Sequence, residues 1–145
     1  MPKNLSRYRY MMNKDKGLRA LSIGLAAVAA GDAKSASYQA QRASRFLKKD
    51  EALPKLLSAQ AARLQGDNLA AAHCFIELMD DKDASFLGVR GLLQSALDSG
   101  DTEGALELGY KALESYPKQG WILCIVYDLE IRLRNWDSAL KTLYL

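Results

Sequence analysis

The one histidine in the chain, His73, stands beside one of its two cysteines, Cys74. A helix-borne His-Cys pair has the ligand types for haem iron, and a lone histidine is also the base that a Ser-His-Asp set needs. Neither chemistry gains a second anchor. The neighbours Ala72 and Cys74 give no activating pattern around His73, and no glycine-rich phosphate loop or metal-spaced cluster occurs. An ordinary helix-surface histidine beside a packed cysteine is expected, with no catalytic residue, no metal site and no enzyme activity.

Polar side chains at helical spacing are the better candidates. Gln60 and Arg63 form one group, Arg90, Gln94 and Asp98 a second, and Trp121, Asp128 and Arg132 a third. On a shared helix face, each set makes a charged strip with the means to grip a peptide or protein. The alternative is a water-facing groove that is simply polar, in which pairs such as Arg90 with Asp128 only tie neighbouring units together.

The elements that must position these residues follow from a repeat. Gly31-Asp32, Gly66-Asp67, Gly100-Asp101 and Arg134-Asn135 recur at intervals of 35, 34 and 34 residues, each followed four residues later by Ala36, Ala71, Ala105 or Ala139. Glycine ends a helix in the left-handed conformation at little steric cost, and the Asp or Asn after it caps the next helix. A period of about 34 residues is that of tetratricopeptide (TPR) repeats. The expected fold is all-α, a TPR-like solenoid of about four helix-turn-helix repeats. First helices are predicted near 17–30, 53–65, 85–99 and 119–133, and second helices near 33–47, 68–80, 102–115 and 136–145. The alanines fall on the early turns of the second helices, where a short side chain permits close approach.

Composition agrees with one soluble helical domain, at 49% hydrophobic and 26% charged residues. Pro2 precedes the repeats, Pro54 sits at a helix start and Pro117 lies between hairpins. Leu18, Leu21, Leu25 and Val28 form one apolar stripe, and Leu53, Leu56, Leu57 and Leu64 a comparable one. In the TPR register Leu18, Leu21, Leu25 and Val28, then Leu53 and Leu56, also floor the groove, with Leu87 and Cys124 among its later inward positions. Lys48-Lys49-Asp50-Glu51 and Asp80-Asp81-Lys82-Asp83 read as solvated connectors. Cys74 and Cys124, 50 residues apart, read as half-buried thiols in a reducing compartment. The repeats depart from TPR consensus: the early aromatic is replaced by Ala20, Lys55, Val89 and Leu123, and the glycine four positions later survives only as Gly24.

Charge is concentrated at the start. Residues 1–19 hold Lys3, Arg7, Arg9, Lys14, Lys16 and Arg19 against Asp15, a net of +5, while the other 126 residues net −2. Residues 1–16 therefore read as a basic, juxtamembrane-like segment before a TPR-like domain at 17–145. No nucleic-acid motif accompanies it, so nucleic acid is not an expected partner. Bases of this kind gather on the cytosolic side of membrane spans. The most apolar run, Leu21 to Ala30, is ten residues long, is broken by Ser22, and falls short of the ~20 that a spanning helix needs. The helix opened at Trp136 has no polar cap after Leu145, which predicts a C-terminal truncation and leaves surface for self-association.

Several stretches resemble one family. Leu18 through Ala33 (LRALSIGLAAVAAGDA), Leu56 through Ala62, Gln65-Gly66-Asp67, the block Phe86-Leu87-Gly88-Val89-Arg90-Gly91-Leu92-Leu93, and Pro117-Lys118 before Trp121 are similar to the TPR region of the proteobacterial HemY family. That family is distinct from the flavin-dependent protoporphyrinogen oxidase of the same name. The resemblance implies an inner-membrane protein of late haem biosynthesis, with two spans preceding this region, which would lie on the cytoplasmic side. It implies a scaffold that recruits protein partners, among them enzymes of late haem synthesis, and no resident cofactor. A tetrapyrrole binder is the alternative, with Trp121 and Tyr127 stacking on a haem or porphyrin and Arg63 or Arg90 pairing with its propionates.

Overall fold

The computed structural model describes residues 2–48 and 51–145, so Lys49 and Asp50 of the first predicted connector lie outside the described residues. Every regular element among the described residues is helical: α1 (Pro2–Ala29), α2 (Ala33–Phe46), α3 (Ala52–Leu64), α4 (Asn68–Met79), α5 (Ser85–Asp98), α6 (Thr102–Ser115), α7 (Gly120–Arg132) and α8 (Trp136–Leu143). The fold is the all-α repeat of helix-turn-helix hairpins that the period predicts. The chain forms two compact units, one ending at Gly88 and one running Val89–Leu145.

The four corners share one backbone solution. Gly31, Gly66 and Gly100 have φ of 73°, 78° and 76°, and Arg134 occupies the same left-handed region at 60°. In each, the following residue's N–H reaches back five positions to a helix carbonyl: Asp32 to Ala27, Asp67 to Ala62, Asp101 to Ala96 and Asn135 to Glu130, at 2.8 to 3.0 Å. These Schellman bonds satisfy carbonyls that the helix end would otherwise strand. The aspartates then cap forward, accepting from Ser35 N–H, Ala70 N–H and Gly104 N–H at 2.9 to 3.0 Å, whereas Asn135 makes no side-chain cap bond. Hydrogen bonds from Ser35, side chain first and backbone second, hold the Asp32 carboxyl below its usual pKa. The corner alanines are sealed, with Ala36, Ala71 and Ala105 fully buried and Ala139 nearly so.

The first unit places its core differently from the leucine stripe. Gly17, Ala20, Leu21, Gly24 and Ala27 are the buried residues of α1, while Leu18 and Leu25 are exposed. The reason is close approach. A Cβ on Gly24 would lie 2.5 Å from Leu57 Cδ2, and one on Gly17 would lie 2.4 Å from Leu47 Cγ. Leu57 and Leu47 fill the notches that the glycines leave, and a fully buried leucine contributes about 2 kcal/mol. Leu21 and Val28 therefore serve the core and not a groove floor, and Leu53 of the second stripe is exposed.

The helix α1 also starts well before its predicted limit and runs through position 16 without a break, beginning at Pro2, where a missing N–H costs a helix nothing. The connector before α5 is more than a solvated loop. Asp81 Oδ1 accepts from Asp83 N–H and Ala84 N–H, each at 2.9 Å, and so sets the lead-in to that helix. The second unit has its own core of Leu93, Ala105, Leu106, Ala112, Ile122, Val126 and Leu129, drawn from α5, α6 and α7.

Candidate functional site

In the second unit, α5 and α7 each turn one face to the core and leave a polar strip outside it. On α5, Val89 and Leu93 pack inward, which leaves Arg90, Gln94 and Asp98 exposed at spacings of four. On α7, Ile122, Val126 and Leu129 are buried, and Cys124, Asp128 and Arg132 are exposed. Cys124 is thus not the half-buried thiol that the sequence predicts, because it falls on the solvent side of α7.

The strips are ordered by local contacts. Gln94 Nε2 donates to Asp98 Oδ1 at 2.8 Å, and Arg132 Nε pairs with Asp128 Oδ2 at 2.7 Å. Arg90 lies over Trp121, with its Cζ 5.5 Å from the ring centroid. Trp121 is half-buried and packed against the core, so the cation–π contact fixes Arg90 of α5 against α7. The two helices are therefore joined by Arg90 on Trp121, and Asp128 turns to its own helix neighbour Arg132 instead of making the Arg90–Asp128 tie that the alternative, merely polar groove would have. Of the predicted groove residues, Arg90 of α5 and Trp121 of α7 meet across the two helices, while Gln94 with Asp98 and Asp128 with Arg132 pair along their own helices. Gln60 and Arg63 belong to α3 of the first unit, where both are half-buried.

Elsewhere the first unit carries the remaining candidates. Lys3, Arg7, Arg9, Lys14, Lys16 and Arg19 are all exposed on α1. Among the described residues no helix is long and apolar enough to cross a membrane. His73 is an exposed side chain whose Nδ1 lies 3.4 Å from Glu77 Oε1 one turn on, a surface pairing. Burial, with Glu77 second, pushes the neighbouring Cys74 thiol pKa up, which keeps it protonated and a poor ligand or nucleophile. No group of three or more His, Cys, Asp or Glu side chains among the described residues could hold a metal ion.

One polar cluster escapes the sequence reading. Glu130 of α7 is 1% exposed, and its Oε1 accepts from Tyr110 Oη of α6 at 2.5 Å and from Thr142 Oγ1 of α8 at 3.1 Å. A carboxyl group thus ties three helices of the second unit. The signal was available: Glu130 continues the inward series Ile122, Val126, Leu129, a position where a solvated glutamate has no place.

Residues 1–66 match the family model described as HemY protein N-terminus, a span that takes in α1, α2, α3 and the first corner and stops at the second glycine. No curated protein matches the chain.

Proposed function

We propose that this chain, whose residues 1–66 match the model of the HemY protein N-terminus, is a non-catalytic helical-repeat scaffold of haem biosynthesis. It recruits protein partners at the cytoplasmic face of the inner membrane. The basic helix α1 approaches the anionic surface in this reading, since each Lys or Arg near such a surface contributes roughly 1 kcal/mol. The observation that carries partner recruitment is the α5/α7 contact, where Arg90 is seated on Trp121, with the Asp128–Arg132 pair two to three turns further along α7. An aromatic anchor flanked by ordered charges of both signs is the pattern of an interface hot spot.

Affinity purification of the full-length, membrane-inserted protein, with mass spectrometry of what accompanies it, tests the reading. Replacing Arg90 and Trp121 together with alanine is expected to cost at least tenfold in recovered partner, on the order of 1.4 kcal/mol. Unchanged recovery would sink the strip as a binding surface. A tetrapyrrole on the same face must compete with Arg90 for the indole of Trp121. A Soret shift at micromolar porphyrin, absent in the Trp121→Ala variant, would replace the scaffold reading with that one.

A further inference from the structure

Met12, Asp15, Lys16 and Arg19 follow one another along α1 at helical spacing, which gives them a common face. With Arg42 of α2 they line a cleft of about 580 Å³ in the first unit. Three cations and one carboxylate surround it, a formal charge of +2. Two of the cations are held without being neutralised. Lys16 Nζ lies 5.7 Å from the ring centroid of Phe46, and Arg42 Cζ lies 5.8 Å from that of Tyr38. An aromatic face attracts a cation through its quadrupole but supplies no counter-charge, so both bases stay electrostatically available while their rotamers are restricted.

We infer that this cleft is a phosphate-binding site, taking the phosphate group of a soluble phosphate ester or of an anionic phospholipid. The guanidinium groups of Arg19 and Arg42 come from two different helices, and each presents a planar fork of donors; Lys16 adds a compact charge to the same lining. A phosphate, with oxygens pointing in several directions, accepts from three such groups at once, whereas a carboxylate offers two oxygens in one plane. Asp15, one turn before Arg19, competes for that guanidinium and keeps the affinity modest. With a phospholipid the inference rests on the reading in which α1 approaches an anionic surface, since Lys16 and Arg19 belong to that helix; with a soluble phosphate ester it is independent of it.

The test uses the full chain at low ionic strength. Inorganic pyrophosphate is titrated and followed by amide chemical shifts, and co-sedimentation is measured with phosphatidylcholine vesicles with and without phosphatidylglycerol. Arg42→Gln is compared with Arg45→Gln, which removes the same charge from the same helix outside the cleft. Arg19→Gln provides a second cleft variant on the other wall. Each cleft variant is expected to weaken binding about tenfold and Arg45→Gln less than about twofold. That pattern with pyrophosphate identifies a soluble phosphate, and the same pattern with phosphatidylglycerol vesicles alone identifies a lipid headgroup. Equal losses in cleft and control variants, or no binding of either probe, would overturn the inference.

Discussion

Tyr110→Phe probes the carboxyl that ties the second unit together. The phenol donates to Glu130 Oε1 at 2.5 Å, Thr142 is the other donor to that oxygen, and Oε2 has no hydrogen-bond partner. Removing the phenolic oxygen therefore leaves a fully buried acceptor group with a single donor. Stripping a partner from a buried polar group costs about 1–3 kcal/mol. Tyr110 is itself 40% exposed, so water recovers part of the loss and the expected cost is about 1.5 kcal/mol. That corresponds to a fall of roughly 3–6 °C in Tm for a chain of this size. The substitution also has a pH signature. Burial first, and the Glu130 hydrogen bond second, raise the Tyr110 pKa, and Ser138 partly opposes them. A pKa raised on folding gives stability that is fully present below the unfolded value near ~10 and lost as pH rises through the folded one. The wild-type chain should thus lose this contribution on the alkaline side, and the Phe variant should lack that part of the decline. Urea denaturation followed by circular dichroism, at neutral pH and in steps above pH ~9, measures both effects. A variant within about 0.3 kcal/mol of wild type, with an unchanged alkaline limb, would refute the role given to the phenol.

Two further substitutions test the backbone logic. Arg134→Gly should stabilise the chain by about 0.5–1 kcal/mol, because a non-glycine residue at φ of 60° carries about 1–2 kcal/mol of strain and the added unfolded-state entropy offsets part of the gain; a lower denaturation midpoint would show that the arginine side chain contributes more than the corner geometry. Gly24→Ala should destabilise by about 1 kcal/mol, since overpacking against Leu57 and Gln39 exceeds the helix propensity gained, whereas Gly120→Ala, which meets nothing within 4 Å, should stay within about 0.5 kcal/mol of wild type. A stabilised Gly24 variant in the same urea titration would mean that Leu57 does not fill that notch.

The corners were legible in the sequence because only a few residue types can occupy them. A left-handed residue followed by a cap restricts the choice to glycine and Asp or Asn, and the recurrence set every helix boundary after the first to within a few residues. The face of α1 was not legible for the opposite reason. Leu18 and Leu25 carry the hydrophobic signal, but the buried positions Gly17, Ala20, Gly24 and Ala27 carry almost none, because what they supply is space for Leu47 and Leu57. The early start of α1 was hidden as well. Its Lys, Arg and Met residues are good helix formers, but nothing in a polar run announces a helix that packs on no core. For the candidate site, spacing alone placed Arg90, Gln94, Asp98, Asp128 and Arg132 on exposed strips, while the seat of Arg90 on Trp121 depends on how α5 and α7 approach and has no signature along the chain.

A repeat that fixes the corners leaves the interiors of its hairpins free to differ, and the equivalent positions 24, 59, 93 and 127 show how far. Gly24 is a notch filled by Leu57, Ala59 and Leu93 are buried, and Tyr127 is only half-buried. The residue grows with each copy, so the close packing seen around Gly24 cannot be reproduced at the later positions. The four hairpins are thus alike in backbone and unlike in surface. Polar chemistry that α1 places on an exposed basic face is placed in the second unit on strips ordered by Trp121 and by i,i+4 pairs. A ligand that reads the shared backbone would meet similar geometry at every corner, whereas one that reads side chains has distinct surfaces to choose between. The cleft around Arg42 and the strip around Arg90 are therefore separable by substitution: Arg42→Gln should leave partner recovery intact, and loss of Arg90 and Trp121 should leave phosphate binding intact.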